Sequence, residues 1–158
     1  PWLYLSTYTA IVGGWIMILL LSVISQEHKR PILFTYISGF CGLIISFHWI
    51  ITTCQNFFGV SYWIGCVVLL VFALVTALQF ALFAFCCKLL PKFFYRLNLR
   101  LAASWLIAEH FSIRIFPWEP SHTQLLFTDF VQIADLGGSR LVTFCMFVIV
   151  ETLLKFSK

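Results

Sequence analysis

An all-α integral membrane protein, a bundle of about five transmembrane helices with one structured extracytoplasmic loop, is the fold class this sequence predicts. Three observations predict it. The 158 residues are 61% hydrophobic and 10% charged, with mean hydropathy +0.98, whereas a soluble domain carries roughly a quarter charged residues. No Asp, Glu, Lys or Arg occurs between Pro31 and Cys87. Basic residues collect at every second junction between apolar runs. The sequence lacks the alternating ten-residue segments of a membrane barrel, so helices must satisfy the backbone in lipid.

Each crossing needs about 20 apolar residues. The first span, 2–25, is followed by Glu27-His28-Lys29-Arg30. It is too long for a cleavable signal and lacks a basic start. Spans 32–53 and 61–87 share the charge-free stretch, joined by an uncharged turn from Gln55 to Ser61. Lys88, Lys92, Arg96 and Arg100 precede the span 99–115, and Lys155 and Lys158 follow the span 138–154. Under the positive-inside rule these junctions face the cytoplasm. Pro1 then lies outside, Lys158 inside, and the loop 116–137, with Glu119, Asp129 and Asp135 against Arg114, is extracytoplasmic. Residues 1–158 form one membrane domain.

Two local patterns refine the bundle. Gly13-Gly14, Gly39 with Gly42, and Ala77 with Ala81 and Ala84 are spaced to let helices approach closely. The segment 88–100, "KLLPKFFYRLNLR", repeats a basic residue every four positions, one cationic stripe if helical. Leu89, Leu90, Phe93, Phe94 and Leu97 cover its other side, which suits an interfacial turn held by anionic lipid headgroups. Neither this segment nor the net charge of +4 points to nucleic acid.

Chemistry is sparse. Cys41, Cys54, Cys66, Cys86, Cys87 and Cys145 form no CxxC pair or Cys/His metal spacing, and serve as small apolar residues. No metal or cofactor is expected. No Gly-x-Ser-x-Gly elbow, His-Glu-x-x-His or P-loop occurs. Ionisable residues within a span are candidates by default: His48, Glu109 and His110. His48 precedes Trp49, which suits an interfacial hydrogen bond beside an aromatic anchor. Glu109 and Arg114 are about 140° apart on a helix, so Glu109 is expected to take hydrogen bonds from a neighbouring span or to stay protonated. His122, Asp129 and Asp135 in the outer loop make only a weak acid/base set, because no nucleophile accompanies them.

The loop and its flanks carry an ordered set of motifs: Phe116-Pro117-Trp118, His122-Thr123-Gln124, Gln132 to Leu136, and Thr143-Phe144. Upstream stand "SGFCGLIISFHWI" and "ASWLIAEHF". In that order, over nearly the whole chain, they resemble the apolipoprotein N-acyltransferase family, whose second to sixth helices would correspond to the five spans. Ile115 stands where the family usually has Gly before Phe-Pro-Trp, Glu119-Pro120 replaces an apolar pair, and Arg140 an aromatic or small residue. Loss of that glycine removes backbone freedom at the turn.

The resemblance implies a multi-pass protein of the bacterial inner membrane. Such enzymes move an acyl chain from a phospholipid donor to the N-terminal cysteine of a diacylglyceryl lipoprotein. A Cys nucleophile, Glu base and Lys form a thioester acyl-enzyme, splitting the transfer into two steps. That triad belongs to a periplasmic domain beyond a seventh helix, so no catalytic residue is assigned here. This chain alone is expected to show no transfer. Phe116, Pro117, Trp118, His122 and Gln124 are the expected lipid-access residues, with Trp118 as an interfacial wall. The alternatives are a small transporter or channel subunit, with Glu109 and His48 on a polar pathway, and a structural membrane module. The charge-free stretch 31–87 argues against a transport path.

Overall fold

A computed structural model describes residues 2–113, 115–116 and 118–157, with side chains from Thr9 onward. The described residues are helical with no strand: α1 (Trp2–Glu27), α2 (Pro31–Ser46), α3 (Trp49–Phe58), α4 (Tyr62–Thr76), α5 (Leu78–Leu89), α6 (Lys92–Arg96), α7 (Arg100–Phe111), a 3-10 turn (Pro120–Gln124), α8 (Thr128–Val131) and α9 (Ala134–Phe156). Three helical stretches are long and apolar enough to cross a membrane, Thr9–Glu27, Tyr62–Leu89 and Ala134–Phe156, or four if the bent pair α2–α3 counts as one span.

The expected span 32–53 is therefore broken. α2 starts on Pro31, whose fixed φ suits a first helical position. It ends at Phe47, and α3 leaves at 49°. A kink in lipid strands carbonyls that water cannot reach. His48 Nδ1 donates to one of them, Ile45 O, at 2.9 Å. Gly59 then closes α3 in the left-handed conformation, φ +62°, that favours glycine. α4 and α5 follow one another across Ala77 with little deviation, so the span 61–87 persists as 28 residues.

Within the expected span 99–115 the described helix is short. α7 has 12 residues, about 18 Å of helix against about 30 Å of hydrocarbon. It sits in the centre of the bundle between α5 and α9, with Leu101, Ala102, Trp105 and Ala108 buried. Trp105 stacks on Phe147 with centroids 5.0 Å apart and meets Phe80 and Phe83 edge-on. Such pairs add about 1 kcal/mol each beyond area burial. Shielding by neighbours lets this short helix stand in for a lipid-facing span.

α7 and α9 run antiparallel, clamped at both ends by acids. At the N-terminus of α7 the Leu101 N–H donates to Glu151 Oε2 of α9 at 2.8 Å. A carboxylate there meets both a free N–H and the positive end of the helix dipole. Near the other end, Trp105 Nε1 donates to Glu109 Oε2 at 3.1 Å, and Arg140 Nε of α9 lies 3.4 Å from Glu109 Oε1. α9 itself is kinked. Gly138 has φ 73° and ψ −175°, which glycine alone adopts freely.

The segment 88–100 is not one striped helix. Leu90 turns extended ahead of Pro91, which disfavours helix at the preceding residue, and Asn98 takes φ 58° before α7 begins. Lys155 of α9 holds the resulting turn through Tyr95 O and Asn98 Oδ1.

Candidate functional site

Part of the loop 116–137 is tucked into the bundle. Its 3-10 turn is wedged between α1 and α9, with Glu119, Ser121 and Gln124 buried, while residues 125–129 are exposed. The turn is built by its own sequence. Pro120 occupies the first turn position, Ser121 Oγ lies 3.5 Å from Glu119 Oε2, and Glu119 and His122 cap it reciprocally, His122 Nδ1 accepting the Glu119 N–H at 3.2 Å.

Two side chains pin it. Gln124, 0% exposed, accepts from Trp15 Nε1 and donates to Ile11 O, both at 3.1 Å, and also donates to Thr123 Oγ1 at 2.8 Å. From α9, Thr143 Oγ1 accepts the Ser121 N–H at 3.2 Å. Close approach to α1 is possible because residue 14 is glycine: a Cβ there would overlap the Thr123 side chain.

Beneath this wedge a groove of about 550 Å³ runs between α1 and α2. Ala10 and Ile24 mark its extent on α1, about 21 Å of helix. Its walls include Met17, Leu21, Leu43 and Phe80, and Trp118 and Thr123 close the end under the loop. Exposed Ile16 and Leu20 stand along its open side. Of the small residues expected to mark close contacts, Gly14 and Gly39 do so, against Thr123 and Phe80. Gly13 and Gly42 have nothing within 4 Å of a Cβ position and instead leave the groove its width.

The residues singled out from the sequence divide accordingly. Trp118 lines the groove. Phe116 packs on the α2–α3 kink, with ring centroids 5.9 Å from Phe47, 5.9 Å from Trp49 and 5.4 Å from Phe72. Gln124 anchors the loop behind the groove, and His122 is exposed while capping. Pro117 and Arg114 lie outside the described residues. His48 is engaged at the kink, Glu109 with Trp105 and Arg140, and His110 is exposed. Asp129 and Asp135 are exposed too. Among the described residues no group of His, Cys, Asp or Glu is arranged to hold a metal ion.

Sequence reasoning misses Glu151 and reads Thr123 only as part of the His-Thr-Gln motif. Glu151 carries the same signal as Glu109, an acid inside an apolar run. Thr123 carries no signal of its own, since its place against Gly14 depends on the loop folding inward.

No curated protein and no solved structure matches the chain. Residues 2–151 match the apolipoprotein N-acyltransferase N-terminal domain. The match covers nearly the whole chain, and the helical membrane architecture agrees with it: the chain belongs to the apolipoprotein N-acyltransferase N-terminal domain family.

Proposed function

We propose that this domain holds an acyl chain of a lipid substrate for N-acyl transfer, with the chain lying in the α1–α2 groove and its headgroup end beneath Trp118 and Thr123. The groove carries the reading. It is apolar and opens sideways along the bundle, and its volume falls in the range of roughly 300–1,000 Å³ typical of sites for one small ligand. Burying an acyl chain there removes about 0.8 kcal/mol of unfavourable hydration per methylene in an aqueous setting. From the bilayer that gain vanishes, so the groove acts by positioning. The donor is a phospholipid and the acceptor a diacylglyceryl lipoprotein, in the bacterial inner membrane with the loop on the extracytoplasmic side. The nucleophile is assigned to none of the six cysteines, all of which lie in helices.

A phospholipid bearing a photoactivatable group in its acyl chain tests this. After irradiation in bilayers, adducts should concentrate on Met17, Leu20 and Leu43. Gly42→Leu should fill the groove and cut those adducts at least fivefold while thermal unfolding changes by less than about 1 kcal/mol, since open space surrounds residue 42. In an enzyme joining this domain to its catalytic domain, Gly42→Leu and Trp118→Ala should both slow acyl transfer. Adducts spread equally over the outward face of α4, around Val67 and Val71, would refute the groove assignment.

A further inference from the structure

At the other end of α1 a second cavity, of about 710 Å³, opens where α1, α5, α6 and α7 meet. It is unlike the groove in every respect. Lys29, Lys88, Lys92, Arg96 and Arg100 line it, together with His28, and no acidic residue does. Four of these basic residues are the ones the sequence sets four apart. They converge by folding of the turn around Pro91 and Asn98, from three elements, rather than by lying along one helix.

Five like charges around one cavity repel each other, and each is worth more where water is partly excluded. The buried acid Glu151 accepts the Leu101 N–H and also acts on Arg100 and Lys155, so it offsets Arg100 among the five cations and leaves the other four. Two residues of the lining each carry a buried donor with no hydrogen-bond partner among the described residues, Gln26 Nε2 and Arg100 Nε. Those two atoms are enclosed by protein, so the cavity wall is formed by other atoms of the two residues. Tyr95 is gripped from two sides, with Arg100 4.8 Å and Lys155 4.4 Å from its ring centroid. The cavity thus has a cationic wall with no acidic residue in its lining. Beside it Leu89, Phe93 and Leu97 are exposed, a greasy rim that suits lipid contact rather than open water.

We infer that this cavity binds the phosphate of one anionic phospholipid, taken from the leaflet at the basic end of the bundle. The phosphate oxygens accept from the lysines and Arg96 that line the cavity and offset part of their mutual repulsion, and the acyl chains lie against the exposed leucines and Phe93. This is a stoichiometric site, distinct from diffuse attraction of a basic surface to a charged membrane, and it does not depend on the acyl-transfer reading.

Native mass spectrometry of the purified chain in a neutral detergent tests it with phosphatidylglycerol, phosphatidylcholine and inorganic phosphate as probes. One phosphatidylglycerol should be retained per chain, and phosphatidylcholine should not. The pair Lys92→Gln with Arg96→Gln, both at exposed positions, should weaken binding at least tenfold, as loss of charge-assisted hydrogen bonds does. Arg30→Gln, which removes a charge at the same end but outside the cavity, should change it less than about twofold in a micelle without surface potential. In the unaltered chain, phosphatidylglycerol should protect Lys88 and Lys92 from a water-soluble amine-acylating reagent while Lys155 reacts as before. Equal binding of phosphatidylcholine, equal weakening by Arg30→Gln, lack of lysine protection, or displacement of the lipid by millimolar inorganic phosphate would each overturn the assignment.

Discussion

A primary amide offers two donors and two acceptor lone pairs, and Gln124 places its group where both kinds are wanted. It meets an indole N–H, a main-chain carbonyl and a neighbouring hydroxyl inside a bundle with little water. Gln124→Ala therefore removes the acceptor for Trp15 Nε1 and the tie to α1 together. Leaving a buried donor unpaired costs about 1–3 kcal/mol, so the substitution should lower unfolding free energy by about 2 kcal/mol in detergent. Gln124→Glu keeps the acceptor but adds a charge, and should fare no better. Unchanged melting of Gln124→Ala, followed by tryptophan fluorescence, would show that the loop is held by other contacts. From the sequence, Gln124 is legible as part of His-Thr-Gln, a loop motif. Its partners are not, because Ile11 and Trp15 are over a hundred residues away and nothing local names them.

At the scale of elements, the sequence shows apolar length well and interruptions poorly. Spans 2–25 and 61–87 correspond to α1 and to α4 with α5, since an unbroken apolar run is itself the cause of a lipid-crossing helix. The break at Phe47–His48 contains neither Pro nor Gly. It is tolerated because His48 supplies the missing donor and Phe116 fills the bend, both tertiary facts. The shortness of α7 is likewise set by what surrounds it. Adjacent glycines show how much depends on facing. Gly13 opens to space while Gly14 abuts Thr123, although the two are equivalent in any pattern of small residues. Gly14→Ala should drive the 3-10 turn away from α1, at about 1–3 kcal/mol for overpacking. Gly13→Ala should be neutral or slightly stabilising, as helix propensity favours Ala by about 1 kcal/mol. Limited proteolysis within 119–137 should speed up for Gly14→Ala alone. Equal effects from both would mean the loop does not press on that face of α1.

Over the whole molecule, the basic residues of three separate junctions gather at one end. The ends of α1 and α5 and the start of α7 share the cationic cavity, and Lys155 at the end of α9 ties down the same turn. This clustering was readable from the alternation of charge along the chain, because it needs only the count of crossings between junctions. It survives the broken α2–α3 pair and the short α7, since each still returns the chain to the other end. The compartment is a separate matter. Basic segments are retained in the cytoplasm during insertion, so the proposed function needs the cavity inside and Trp118 beneath the outer leaflet. Asp129→Cys on α8 and Lys92→Cys on α6 report the two ends, both at exposed positions, in a background with the native cysteines replaced. A membrane-impermeant maleimide should label Asp129→Cys in intact cells, provided the outer envelope is opened, and should reach Lys92→Cys only after the inner membrane is breached. The reverse pattern would put the groove's lid in the cytoplasm, away from any lipoprotein awaiting acylation, and would leave the groove without its proposed substrate.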